Sequence, residues 1–146
     1  MTDVFNRVDI SDWLERIPYA SYLGISATLD HEQESLLFRL EPFDSNVGNI
    51  LLPALHGGVV AAFMETAATL DLLRVAHVPT LPRIVDLSID YLRTARTVPT
   101  FAQCDVLREG RRLANVRVSA WQDDSETPIA TARLHFVLGK ASSYNE

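Results

Sequence analysis

Glu65 stands in the middle of VVAAFMETAATL, a stretch otherwise made of apolar residues, alanines and threonines. An unpaired carboxylate in such surroundings is costly to bury or is forced to take up a proton. Two readings follow. Glu65 is either a structural glutamate, facing solvent or bridged across a subunit contact, or a carboxylate of perturbed pKa in a cleft. In the second case it serves as general base or nucleophile. Thr69 lies four residues on, on the same helical face, so its hydroxyl reaches the same spot. His56-Gly57-Gly58 opens the same segment. The first amides of a helix lack intrahelical partners and sit at its positive end, which favours developing negative charge. Two glycines remove the side chains that would keep a ligand's carbonyl oxygen away from those amides, as an oxyanion hole requires. His56 either caps the helix start or touches substrate. Gly57 precedes Glu65 by about 12 Å along a helix axis. Both address one carbon within a single chain only if the substrate lies along the helix. A sheet paired edge to edge with a second copy would set the amide of one chain facing the glutamate of the other.

Other chemistries lack their motifs. There is no Gly-rich phosphate loop with Lys-Ser/Thr, no GxGxxG after a strand, no GxSxG and no CxxC. The four histidines, His31, His56, His77 and His135, lack the i,i+4 spacing of a helical metal pair, so no metal site is expected. His77 and His135 read as surface residues. The lone Cys104 has no cationic neighbour to activate it and reads as a buried structural thiol. With 13 Lys+Arg against 19 Asp+Glu, the net charge is −6. That balance argues against nucleic acid as the main partner. It leaves room for a small polyphosphate ligand held by a few local arginines. The start, MTDVFNRVDISDW, has no basic segment followed by an apolar one, so no signal peptide is read and cytoplasmic residence is the expectation.

The elements that must position these groups are legible as patterns. The 146 residues predict a single domain, with a core over about 20–139 behind a short N-terminal helix. Ser11 is the expected cap of that helix, Trp13, Leu14 and Ile17 form its apolar stripe, and Pro18 ends it. Strands are expected over Tyr22 to Leu29 and through Leu36, Phe38 and Leu40, and Pro42 to Pro53 reads as loop. His56 to Ala76 is apolar around nearly the whole wheel, the pattern of a helix buried in a core. Its Gly-Gly start and the charges at Glu65, Asp71 and Arg74 argue against a membrane span. Four alternating segments follow. The first covers 83–93, with Val85, Leu87, Ile89 and Tyr91 on one face, and 100–108, 113–121 and 129–138 come after it. Short turns between such segments mean antiparallel strands with one wet face. The fold class is therefore α+β, an antiparallel sheet wrapped around one long central helix.

A helix-opening HGG followed by an acid, then VDLSIDYLRTA and the REGRRLA turn, resembles the hotdog-fold acyl-CoA thioesterases over about Gly24 to Leu138. The group is similar to the phenylacetate-pathway type and the 4-hydroxybenzoyl-CoA thioesterases. The resemblance implies that the Gly57 amide polarises the thioester carbonyl, with His56 and Gly58 completing the motif. It implies that Glu65 is the catalytic acid and Thr69 the threonine that pairs with it. Two positions depart from the family pattern. Ile50 stands where an Asn or Gln is usual, leaving Asn49 beside it as the candidate polar group. Ile84 stands where Asp-type members carry a water-holding Ser, which places this chain with the Glu/Thr type. The resemblance further implies CoA binding by Tyr91, Arg108, Gly110, Arg111 and Arg112, against the plain reading of those arginines as a solvated turn. It implies no metal or redox cofactor and a homodimer or dimer of dimers. Two other functions share the fold. One is enoyl-CoA hydration or dehydration, for which the usual HFPG-like stretch is missing; the other is acyl-CoA binding without turnover.

Overall fold

In the computed structural model the residues described are 9–30, 32–76 and 80–139; His31 and His77 lie outside them. The described residues open with two short helices, α1 (Ile10–Arg16) and α2 (Pro18–Leu23). Asp9 caps α1, accepting from the Ser11 and Asp12 amides, so Ser11 is a recipient of the cap and not its source. One carboxylate two residues upstream reaches both amides. Pro18 ends the first helix and, at the first position of the second, begins another, because its fixed φ suits a helix start. This corrects the strand expected from Tyr22. Tyr22 and Leu23 finish α2, and Gly24, at φ +79°, turns the chain into β1 (Ile25–Asp30). The positive φ is what asks for glycine here; the Phe43 ring edge, 2.5 Å from where a Cβ would lie, is on an exposed side chain that can swing aside.

β2 (Ser35–Leu40) returns beside β1 and buries Leu36, Phe38 and Leu40 as the alternation predicts. The stretch read as loop contains a 3-10 turn (Asp44–Asn46) and a small ladder of β3 (Val47–Asn49) with β4 (Ala54–Leu55). Then comes α3 (Gly57–Ala76), followed by β5 (Arg83–Tyr91), β6 (Thr100–Glu109), β7 (Leu113–Trp121) and β8 (Ala130–Val137). The six long strands form one antiparallel sheet in the order β1-β2-β6-β7-β8-β5, with α3 packed against one face of it. This is the hotdog arrangement. The inner face of β7 carries Ala114, Val116, Val118 and Ala120, and that of β8 carries Ala130, Ala132, Leu134 and Phe136, all buried. On β5 the expected face is interrupted. A bulge between Ile84 and Asp86 shifts the register, so Ile84, Leu87 and Ile89 pack inward while Val85 stays 59% exposed.

Phe63, Met64, Leu70, Leu72 and Leu73 of α3 are essentially inaccessible, each contributing roughly 1.5–3 kcal/mol by burial. The buried carboxylate of this helix is Asp71, at 5% exposure, and not Glu65. Its Oδ1 accepts from Arg74 Nε and Nη2 at 3.2 and 2.9 Å. Desolvation pushes the Asp71 pKa up, and the Arg74 hydrogen bond and charge only partly offset it. Across the interface from α3 to β6, burial pushes the Cys104 thiol well up, with the Asp71 and Asp105 carboxylates adding to the effect. The side chain is half-buried and packs against the core, short of the full burial expected of it.

Because Asp71 is raised in the folded chain, the fold binds its proton before the unfolded chain does. Ionised Asp71 therefore opposes folding. The penalty is relieved as pH falls through the raised value toward the ordinary one of about 3.9. Chemical denaturation of wild type and Asp71→Asn between pH 7.5 and 4 should show the difference moving in favour of wild type on acidification. A pH-independent difference would remove this account.

Candidate active site

Three bonds fix His56 at the mouth of α3. Its N–H donates to the Asn46 carbonyl at 2.8 Å, and its own carbonyl accepts from the Val59 and Val60 amides at 3.0 and 3.1 Å. Its ring folds back so that Nδ1 accepts from the Gly58 N–H at 2.9 Å. Of the two roles open to His56, the structure shows the cap. A Cβ at Gly58 would lie 2.9 Å from the imidazole, and one at Gly48 only 2.6 Å from the His56 Cα, so both glycines are demanded by this histidine's seat. With Gly58, Val59 and Val60 satisfied, the Gly57 N–H has no acceptor among the described residues. A Cβ at Gly57 would meet nothing closer than Tyr91 Oη at 3.4 Å. Packing alone tolerates a side chain there, and the glycine leaves clear space beside an open amide.

Asn46 anchors this arrangement and carries no signal in the sequence beyond a turn propensity. It is fully buried, and its Nδ2 donates to the Leu23 and Glu41 carbonyls at 2.8 and 3.0 Å. Asn49, the polar candidate beside Ile50, is exposed and its Oδ1 accepts from the Leu51 and Leu52 amides at 2.9 and 3.1 Å. That oxygen is spent on a local turn.

Glu65 sits on the least covered face of α3, a half-buried arc with Ala61, Ala62, Thr66 and Thr69. Among the described residues its carboxylate has neither an ion-pair partner nor a hydrogen-bond donor. The Thr69 hydroxyl donates to the Glu65 main-chain carbonyl at 2.8 Å, and Thr66 does the same to Ala62. The expected contact is thus to the peptide and not to the carboxylate, because the carbonyl four residues back is the nearest acceptor on a helix.

A second group lies on the outer face of the sheet. Arg108, Gly110, Arg111 and Arg112 line a groove of about 720 Å³ together with Asn115 and His135. The strand register explains the gathering. Arg108 pairs with Asn115, Asn115 with His135, and His135 with Asp86, one polar row across four strands. His135 Nδ1 lies 3.2 Å from Asp86 Oδ2, and Asn115 Oδ1 is buried without a partner. None of the three guanidinium groups meets a carboxylate among the described residues. The sequence reading missed Asn115 and Asp86 and left His135 as a plain surface residue. Outward positions in alternating strands were its only signal, and the pairing is what joins them.

Tyr91 is not in this group. It pairs with Ala130, five residues and about 17 Å along β8 from His135. Its hydroxyl instead donates to the Gly57 carbonyl at 2.7 Å. Together Tyr91, Gly57, Ala54, Leu55, Val60 and Arg93 border a largely apolar cavity of about 210 Å³.

Comparison with known proteins gives the family. The family model described as the thioesterase superfamily matches residues 52–129, from the approach to His56 through β7 to the start of β8. The medium/long-chain acyl-CoA thioesterase YigI of Escherichia coli K12 is 30% identical over 141 residues, covering 84% of this chain and 86% of YigI. A crystal structure of a Chromobacterium violaceum protein is 39% identical, covers 95% of this chain and 96% of its own, and superposes with a TM-score of 0.73. A Bacillus halodurans protein solved with CoA shares the fold at a TM-score of 0.72, with 18% identity over 92% of this chain and 89% of its own. An open helix-start amide, a free carboxylate on the half-buried arc of the same helix and the match of the family model lead to one assignment: this chain belongs to the thioesterase superfamily.

Proposed function

We propose that this chain hydrolyses acyl-CoA thioesters to the free acid and CoA. The observation that carries the reading is the unpartnered Gly57 N–H at the positive end of a buried helix whose open arc presents the unpaired Glu65. The thioester carbonyl oxygen would accept from Gly57 N–H, which stabilises the charge that grows on it. A donor of this kind contributes about 2.7–4 kcal/mol in the transition state. Glu65 either takes a proton from the attacking water or attacks the carbonyl itself to form an anhydride that water then opens. In both routes the C–S bond breaks, CoA leaves as the thiol after proton return, and one water is consumed. No metal or redox group is needed for that balance. YigI's acyl-CoA activity and the CoA held by the Bacillus halodurans protein support the substrate class.

The arginine groove supports a dimer as the working unit. β5 is a nine-residue strand with one edge unpaired among the described residues. An edge of that length invites pairing. Tyr91 and Gly57 lie at one end of β5; Arg83 lies at the other, joined through Val137 to Leu113 beside the arginine turn. Within one chain the two groups are thus about 27 Å apart along the strand. Antiparallel β5–β5 pairing about a two-fold axis exchanges the ends, which brings the arginines of one protomer to the Gly57 end of its partner. The same exchange answers the about 12 Å between Gly57 and Glu65. We place this dimer, or a dimer of dimers, in the cytoplasm. No helix among the described residues is long and apolar enough to cross a membrane.

Glu65→Gln should lower kcat by at least ~10², the lower end of what a positioned base supplies, with folding and assembly unchanged. Thr69→Val should cost less. Thiol release from a panel of acyl-CoA esters reads both. A Gln variant at the wild-type rate would return Glu65 to a structural role. CoA-ester binding without any turnover would favour the binding-domain reading, and hydration of an enoyl-CoA the hydratase.

Arg111→Ala/Arg112→Ala should raise KM for CoA esters while leaving kcat and the response to short acyl-pantetheines nearly unchanged, since remote phosphates are held alike in ground and transition states. At substrate levels well below this variant's KM, mixing it with Glu65→Gln should give more turnover than either alone if the groups act in trans. Equal losses on both substrate types, or a 16 kDa species in sedimentation at micromolar concentration, would defeat the shared site.

A further inference from the structure

We propose that Tyr91 is a positioning residue for the open amide of Gly57, acting through the Gly57 carbonyl. The inference rests on the thioesterase reading and adds a group that holds its oxyanion donor in place.

The mouth of α3 carries both of the helix's glycines. Two consecutive glycines each cost about 1 kcal/mol of helix propensity relative to alanine and have a wide choice of φ and ψ. Rotation there would tilt the Gly57–Gly58 peptide and pull on the neighbouring His56–Gly57 peptide, whose N–H must face a substrate carbonyl and whose own carbonyl is held only by the Val59 and Val60 amides. Two side chains oppose that rotation from opposite sides. His56 Nδ1 holds the Gly58 N–H at 2.9 Å, and Tyr91 Oη donates to the Gly57 carbonyl at 2.7 Å. The Gly57 residue is thereby fixed through the peptide that follows it, while its own N–H stays free.

Tyr91 can serve as an anchor because its own backbone is tied down. It pairs with Ala130 at the end of β5, and the Leu92 and Arg93 amides both donate to the Ile129 carbonyl at 2.8 and 3.1 Å. Arg93 Nη1 adds a bond to the Pro128 carbonyl at 2.6 Å. The rigid sheet therefore reaches across thirty-four residues of sequence to the glycine pair. The ring also walls the apolar cavity beside Gly57, which keeps the hydroxyl next to the amide it steadies. A donor held in place before charge develops acts on the transition state more than on the ground state, so its loss falls on kcat.

The test is Tyr91→Phe, which keeps the ring and removes the donor. kcat should fall about tenfold, within what one neutral hydrogen bond supplies, with KM inside twofold and the melting temperature nearly unchanged. Two inert acyl-CoA analogues separate positioning from packing. A ketone that replaces sulfur by difluoromethylene, and so binds as its tetrahedral hydrate, should bind more weakly to the variant. A thioether that lacks the carbonyl should bind the same. Unchanged kcat and unchanged binding of both analogues would overturn the proposal, and so would equal weakening of both. If the Phe variant does not fold, 3,5-difluorotyrosine at position 91 replaces it. Its phenol ionises near neutrality, and kcat alone should fall as that donor is lost; a flat profile overturns the role. Turnover in wild type with an unaffected variant defeats only this clamp, whereas no thiol release by wild type defeats the hydrolase reading and this role together.

Discussion

Asn46 has no exposed surface, and its side-chain and main-chain bonds together join three parts of the chain that the sequence keeps apart. Its Nδ2 holds the end of α2 and the end of β2 through the Leu23 and Glu41 carbonyls, while its own carbonyl receives the His56 N–H. The start of α3 is set by that last bond. Where α3 starts decides which amide is left over. If His56 were displaced by one residue, its ring would cap a different N–H and a different group would stand open. The glycines at 48 and 58 follow from the same seat, since each makes room for the His56 backbone or ring.

A buried helix with a polar task faces a conflict between packing and access. α3 resolves it by angle. The sheet and the two short helices cover most of its circumference, and one arc of small residues remains half-open. Glu65 lies on that arc and keeps its carboxylate free of partners. Asp71 lies off the arc, is buried, and needs the Arg74 fork beside it. Two carboxylates six residues apart on one helix thus live in opposite environments. The one that is paired belongs to the architecture, and the free one is available for chemistry.

The sheet gives each site its reach. Across β6, β7, β8 and β5 the register places Arg108, Asn115, His135 and Asp86 in a single outward row, while the alternate residues fill the core. A slip of one residue in any of these strands would send its member of the row inward. The strand end at Tyr91 and the turn at Arg111 are separated by the length of β5 and β8, which is why a single chain keeps the glycine mouth and the arginine groove apart.

The fold was largely legible from the residues alone. The all-round apolar character of 56–76 and the period of two through 113–121 and 129–138 are local consequences of burial, and the sheet-wrapped helix follows from them. The HGG start and the acid within the helix were also legible as candidates, because glycine pairs and lone carboxylates are conspicuous against an apolar background. Tertiary structure decided what pairing and distance control. It moved the N-cap to Asp9, turned Tyr22 and Leu23 into helix, and inserted the bulge that exposes Val85. It directed the Thr69 hydroxyl to a peptide carbonyl, gave the buried-carboxylate role to Asp71, and carried Tyr91 from the arginines to Gly57. Sequence determines which face of an element is apolar, since that depends on a residue and its near neighbours. Which polar atoms meet depends on register and on close approach between segments tens of residues apart, and only the folded chain sets those.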